Sequence, residues 1–357
     1  MEKRITIKEI AQLADVSIGT VHCALNGKKG VSEQNRQKIL NIAKQYHYQP
    51  NSLASSLKRK PIRIAAVFPG RTEKKQYYFS YFWQAVRASM QELKDFNIEL
   101  VEVPYYHNSP YQADELEALL KSAELDGLIT ATGYLDTMSK KQIQRFIERR
   151  VPVALAGEDL PESGRLCCVQ PNYEVIGAMV AETLHRQTGG GDLLVCAGDL
   201  MIPSHYKVVK GMEEHIARYN LPVRLYPIYA GSSEEEYSRH MLRVLQDRPG
   251  IRGCFCVTAG GSPLLAEAVR RAGREQELTV LGSDLFDENI RLLKEGRFAG
   301  LVNKNPCSQA RLAFKLLSEY LLRGVRPPHD TVYTGSEIVL RSSLPMYEQN
   351  DEKQLLI

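Results

Sequence analysis

The chain has a single tryptophan, and no uninterrupted apolar run approaches the roughly 20 residues that a membrane-spanning helix needs. Its start, Met1-Glu2-Lys3-Arg4-Ile5-Thr6-Ile7-Lys8, places charges where a secretory leader would carry its apolar core, so a cytoplasmic protein with no membrane partner is expected. Metal-binding cysteine patterns are missing as well. The seven cysteines, at 23, 167, 168, 196, 254, 256 and 307, form no CxxC pair and no His/Cys cluster at zinc spacing. They read as reduced thiols, mostly buried as small apolar side chains, and no metal site is expected. Neither G-x-G-x-x-G nor G-x-x-x-x-G-K-S/T occurs, and Gly260-Gly261-Ser262-Pro263-Leu264 falls short of a G-x-S-x-G elbow. The glycine run Gly189-Gly190-Gly191 follows a helical stretch and leads into a strand, which makes it a helix stop. No catalytic residue and no cofactor are expected; the chain does not read as an enzyme.

A strong overall charge is also missing, but the small net value of +4 conceals an asymmetry. Residues 1–60 hold 11 Lys+Arg and 4 Asp+Glu, a balance of +7, while the remaining 297 residues hold 35 and 38, a balance of −3. A basic head on a mildly acidic body suggests a polyanionic partner for the head, because Lys and Arg contacts to phosphates supply most non-specific nucleic-acid affinity.

Three short helices are predicted within that head. Thr6 caps the first, with Glu9 completing a capping box and Ile7, Ile10, Ala11 and Ala14 forming one apolar face. After the turn Asp15-Val16-Ser17, Ser17 caps a second helix running to about Leu25, with Val21 and Leu25 inward and Ile18, Gly19, His22 and Cys23 outward. Ser32 opens a third helix, which closes near Tyr46 and packs Ile39, Leu40 and Ala43 behind the other two. This is a helix-turn-helix with a support, the geometry that lays its second helix in a DNA major groove.

The segments TIKEIAQLADVSIGTVHCALNG, VSEQNRQKIL and YQPNSLASSLK together resemble the headpiece and hinge of LacI/GalR-type repressors over residues 5–58. The resemblance implies phosphate contacts from Thr6, Ser17, Thr20, Asn26, Ser32 and Asn51, which fix register without reading sequence. Where the family has Ser-Arg after Thr-Val, this chain has His22-Cys23, and a cysteine cannot make the bidentate guanine contact of an arginine. Direct readout is thus expected to rest on His22, on Ile18 against thymine methyls and on DNA shape, with Gly19 offering no side chain. The hinge Asn51 to Lys58, with Ala54 and Leu57, is too short to be stable alone and is expected to fold on DNA, where Leu57 wedges a base step in the minor groove.

From Ile62 onwards continuous apolar strands alternate with amphipathic helices, which implies doubly wound parallel sheets, and about 300 residues are too many for one core. FWQAV, DGLI, VPVALAGEDLP, TVLGSD and GLVNKNP resemble the two-lobed sugar-binding domain of the same family, a periplasmic-binding-protein type I-like scaffold. The expected organisation is a headpiece over 1–49, hinge helix and linker over 50–61, an effector-binding domain over 62–345 and a polar tail over 346–357. Within the effector domain the first lobe is expected over 62–159 and 303–325, and the second over 160–302 and 326–345.

The resemblance implies a ligand between the lobes, at the carboxyl ends of the strands. Phe82 and Trp83 stand where the family stacks aromatics on a sugar, and Asp284 where an acid takes hydroxyl hydrogen bonds. The family's usual Arg falls on Val208 beside Lys207, its Asn-Asp on Thr258-Ala259, its Asp on Gly157 and its Gln on Lys304. Two readings follow, a neutral sugar-like effector or, given Lys207 and Lys304, an anionic one. The implied whole is an effector-responsive transcriptional repressor, a homodimer with double-stranded operator DNA and a small-molecule effector as partners. A transport solute-binding protein is the rival class, and the basic head without a leader argues against it.

Overall fold

The computed structural model describes residues 5–25, 27, 29–46, 48, 60–70, 77–105, 118–119, 121, 124–131, 140–231 and 233–348. Two compact units make up the chain, residues 1–60 with 95–97, and residues 61–94 with 98–357. Most of the expected hinge, with Asn51, Ala54 and Leu57, lies outside the described residues, as do Asn26 and the tail from 349.

The first unit is built from helices α1 (Ile7–Ala14), α2 (Ile18–Leu25) and α3 (Glu33–Gln45). Their starts follow the sequence signals. Glu9 N donates to Thr6 Oγ1 at 3.3 Å while Thr6 N donates to Glu9 Oε2 at 2.6 Å, so the capping box is closed in both directions. Asp15 ends α1 in the left-handed region (φ 55), and its N–H returns to the Ala11 and Gln12 carbonyls. Ile10, Ala11, Ala14, Val21, Ala24 and Ile39 form a small core. Two expected core positions shift. Ala24 is buried where Leu25 only packs alongside, and on α3 Ile39 is joined by Ile42 and Ala43 while Leu40 is exposed. The inward stripe of a helix recurs at i, i+3 and i+4, and position 40 falls off that stripe.

The second unit holds two six-stranded sheets. One is ordered β11-β5-β4-β3-β1-β2, from β1 (Ile62–Pro69), β2 (Ile98–Tyr105), β3 (Gly127–Ala131), β4 (Val153–Ala156), β5 (Cys167–Pro171) and β11 (Thr331–Thr334). Every pairing in it is parallel. The other is ordered β12-β10-β9-β8-β6-β7, from β6 (Asp192–Gly198), β7 (Leu225–Tyr229), β8 (Ile251–Cys256), β9 (Thr279–Ser283), β10 (Gly300–Asn303) and β12 (Glu337–Val339). It is parallel except for β12 on β10. Helices α4 (Tyr77–Glu92), α5 (Lys140–Glu148) and α11 (Pro306–Arg323) belong to the first lobe. Helices α6 (Tyr173–Thr188), α7 (Pro203–Arg218), α8 (Glu234–Asp247), α9 (Gly261–Arg271) and α10 (Asp287–Lys294) belong to the second. Both faces of each sheet are covered, hence the near-continuous burial of strands such as β4 and β10.

The lobe boundaries differ from the sequence expectation. β5 pairs in register with β4, so the first crossover comes after Pro171 and not near Asp159, and β11 pairs with β5, so the last comes after Thr334 and not near Gly324. Both strands are short, and β11 meets β5 across about 160 residues of intervening chain, a pairing that local sequence does not signal. The middle crossover lies between Asn303 and Pro306, beside the expected boundary at 302/303. All seven cysteines are free thiols, six buried and Cys23 half-buried. Among the described residues no helix is long and apolar enough to cross a membrane, and no cluster of three or more His, Cys, Asp or Glu could hold a metal ion.

Candidate functional site

On the headpiece, the hydroxyls of Thr6, Ser17 and Ser32 all stand at helix starts. Thr20 N donates to Ser17 Oγ at 3.1 Å and Asn35 N to Ser32 Oγ at 3.3 Å, while Ser17 Oγ and Thr20 Oγ1 are 2.8 Å apart. Lys38 Nζ donates to the Ala14 carbonyl at 2.9 Å and Arg36 Nη1 to the Ala24 carbonyl at 3.2 Å, tying α3 to the ends of α1 and α2. Ile18, Gly19 and His22 lie exposed on α2, with Ile18 46% accessible, a large apolar side chain held in solvent. The carriers of readout predicted from sequence thus share one open helical face, flanked by Cys23. Such a face suits insertion beside base edges.

The second unit has a cavity of about 160 Å³ between its lobes, at the carboxyl ends of β4, β8, β9 and β10. The strands of an open α/β sheet all end there, and the helices that follow them start there, so side chains from distant sequence converge. From the first lobe come Tyr78, Phe79 and Glu158; from the second come Tyr173, Ser204, His205, Thr258, Asp284, Phe286 and Lys304.

Asp284 follows β9 in the left-handed region (φ 60), its N–H bonded to the Val302 carbonyl, and Asn289 Nδ2 secures the turn through the Ser283 carbonyl at 2.7 Å. Its carboxylate lies 2.6 Å from Lys304 Nζ and accepts the Lys304 N–H at 3.2 Å; the ammonium also donates to the Val257 carbonyl at 3.1 Å. Lys304 O accepts from Gln309 Nε2 at 2.6 Å, and that amide bonds the Tyr78 hydroxyl, so the pair is connected to the first lobe. Both ions are nearly fully buried, a state tolerated only because each is matched.

Glu158, 4% accessible, reaches from the first lobe to the second. It accepts the Ser204 N–H at 3.0 Å in the first turn of α7, and Lys207 Nζ lies 3.7 Å from its other oxygen. Burial pushes its carboxyl above the ordinary range, opposed by the Ser204 hydrogen bond and the Lys207 charge. His205 is pushed down to about 4, chiefly by burial. The Tyr81 hydroxyl donates to the Leu285 carbonyl at 2.8 Å and Tyr173 to the Gly157 carbonyl, further ties between lobes. α6 and α7 are pressed together beneath these groups. A Cβ on Gly177 would lie 2.1 Å from the Val208 carbonyl, and one on Gly211 2.1 Å from the Glu174 carbonyl.

Thr258, Asp284 and Lys304 therefore line the cleft as expected positions, and three others do not. Phe82 and Trp83 are core residues: Phe82 is fully buried against Phe68, and Trp83 meets Phe68 edge-on at 5.2 Å while its Nε1 donates to the Pro69 carbonyl. Four residues earlier, one turn nearer the start of α4, Tyr78 and Phe79 take the cleft position, with Phe286 contributed by the other lobe. Lys207 stands behind Glu158, outside the cavity lining. Val208 lies in the second-lobe core, and Gly157 occupies a left-handed turn (φ 94) that disfavours the family's aspartate. Glu158, Ser204, His205 and Tyr173 were missed; the only local signal was their place just after a strand or at a helix start.

The regulator DegA of Bacillus subtilis is 28% identical over 162 residues, 44% of this chain and 45% of its own. Catabolite control protein A of Priestia megaterium is 25% identical over 228 residues, 62% and 63% respectively. The chain thus spans less than two thirds of these two relatives; with the repressor PurR of Yersinia pestis the match, at 25% identity, extends to 78% of this chain and 80% of the other. Among solved structures, GanP, a glucose-galactose binding protein from Geobacillus stearothermophilus, has a TM-score of 0.69 at 20% identity, covering 80% of this chain and all of its own. A Burkholderia graminis transporter solute-binding protein in complex with D-arabinose has 0.70 at 20%, covering 80% and 97%. These share the fold. The chain belongs to the periplasmic binding protein domain family over residues 71–324 and carries, over residues 6–51, the domain of the bacterial regulatory proteins of the lacI family.

Proposed function

We propose that this protein is an effector-responsive, sequence-specific DNA-binding transcriptional regulator, a cytoplasmic repressor that meets a pseudo-palindromic operator as a homodimer. One observation carries the reading: a single chain holds both a helix-turn-helix unit with an open recognition face and a two-lobed unit with a polar cleft bridged by Glu158. The effector is small and sugar-like. A cavity of about 160 Å³ is below the roughly 300–1,000 Å³ of drug-sized ligand sites, and its wall of aromatic rings and hydrogen-bonding groups suits a sugar ring. The relatives' names agree, since they include repressors, one of them a sucrose operon repressor from Klebsiella pneumoniae.

Base readout rests on His22, on Ile18 against thymine methyls and on DNA shape, with Gly19 and Cys23 on the same face, and phosphate contact on Thr6, Ser17, Thr20, Asn26, Ser32 and Asn51, with Ala54 and Leu57 in the minor groove. Operator selection with the purified chain, repeated with neutral and phosphorylated sugars, tests the proposal. A two-fold symmetric site whose affinity changes with one sugar is expected; the absence of any enriched site contradicts it. Cys23→Arg sharpens the test, because an arginine at a base edge shifts the selected half-site towards an added guanine.

A further inference from the structure

The two lysines that would draw an anionic effector are each matched to a carboxylate. Lys304 is ion-paired with Asp284 inside the cleft, and Lys207 faces Glu158 from behind it. The other oxygen of Glu158 sits at the first turn of α7, bonded to the Ser204 N–H. Exposed N–H groups and the helix dipole make such a turn a natural seat for an anion. Here a carboxylate from the opposite lobe occupies it. Of the ionisable lining groups, Glu158 and Asp284 are acidic, Lys304 is basic, and His205, at about 4, is neutral near pH 7.

We propose that Glu158 is the specificity residue of the effector cleft, an internal anion that holds the α7 turn and excludes phosphorylated or carboxylated ligands in favour of uncharged polyhydroxy ones. This rests on the cleft being the effector site. An entering anion would have to displace a buried carboxylate from Ser204 and Lys207, leaving it without those partners, or settle beside it against like charge. An uncharged polyol meets neither obstacle. Its hydroxyls donate to carboxylates, and its ring faces can lie against Tyr78, Phe79 or Phe286.

Calorimetry on the full chain, with inorganic phosphate and separately with D-glucose 6-phosphate as probes, tests the assignment in the parent, Glu158→Gln and Glu158→Ala. The parent is expected to bind both weakly, and Glu158→Ala to bind phosphate roughly tenfold or more tightly than the parent or than the detection limit if the parent falls below it, the scale of one hydrogen bond to a charged group. Glu158→Gln, which keeps the size and an acceptor for the Ser204 N–H, is expected to gain less. Thermal melts establish that each variant is folded, and if the alanine variant is not, the glutamine variant carries the test. Phosphate binding by the parent as tight as by the variants, or no gain in the folded variant, overturns the proposal. If that happens while operator binding still responds to a neutral sugar, only this inference falls; operator binding indifferent to every neutral and phosphorylated sugar removes the reading beneath it.

Discussion

In the headpiece, Thr6, Ser17 and Ser32 each accept a hydrogen bond from a backbone N–H three residues ahead, whereas in the cleft Glu158 reaches Ser204 across 46 residues and Asp284 reaches the Lys304 N–H across 20. The first kind of contact forms within one helical turn and is solvent-exposed. The second exists only once distant strands have been brought together, and for Glu158 only once the lobes have met, and it is buried. Polar groups near water contribute little to stability when lost singly, while matched buried ions leave a charge stranded when one is removed.

Breaking the cleft pair should therefore have the largest effect. Asp284→Ala strands Lys304 and should cost about 3–5 kcal/mol in denaturant unfolding of the second unit, with loss of effector binding; a cost within experimental error would show that the pair is not buried as described. Next comes the headpiece core: Ile39→Ala, at a fully buried site, should cost about 2–5 kcal/mol and abolish operator binding while calorimetric effector affinity stays at the parent value. Since the two units are compact separately, a simultaneous fall in effector affinity would show that the damage is not confined to the headpiece. Gly211→Ala forces apart α6 and α7 and should destabilise the second unit by about 1–3 kcal/mol, shifting its melting temperature but not that of the headpiece. Smallest is Thr6→Ala, which opens one exposed capping box; about 1 kcal/mol is expected from headpiece unfolding monitored by circular dichroism.

The same contrast decides what could be read from the sequence. Thr6 with Glu9, Ser17 and Ser32 mark helix starts by chemistry that acts three residues away, so the headpiece was legible almost residue by residue; Leu40 was misplaced by one position on a stripe that turns 100° per residue. In the cleft, strand order is a long-range property. Cys167–Pro171 is a five-residue strand whose place between β4 and β11 is set by chain ends far apart, and so the lobe boundaries moved. Phe82 and Trp83 missed the cleft by one turn of α4, a 5–6 Å displacement that periodicity cannot detect because both turns face the same side. Lys304 was placed in the cleft by position, but only the fold shows Asp284 against it, which changes its meaning from an anion hook to half of an ion pair. Glu158 left no trace of its reach to α7.

In the proposed function one chain couples a DNA-reading head to an effector cleft. Fluorescence anisotropy of the selected operator, titrated with the full chain in the absence and in the saturating presence of the sugar found by selection, tests it most directly. A change in operator Kd of roughly 5–150-fold is expected, the scale of coupling between two sites, and no such change in Asp284→Asn. A sugar that binds the chain by calorimetry yet leaves the operator Kd unaltered would contradict it.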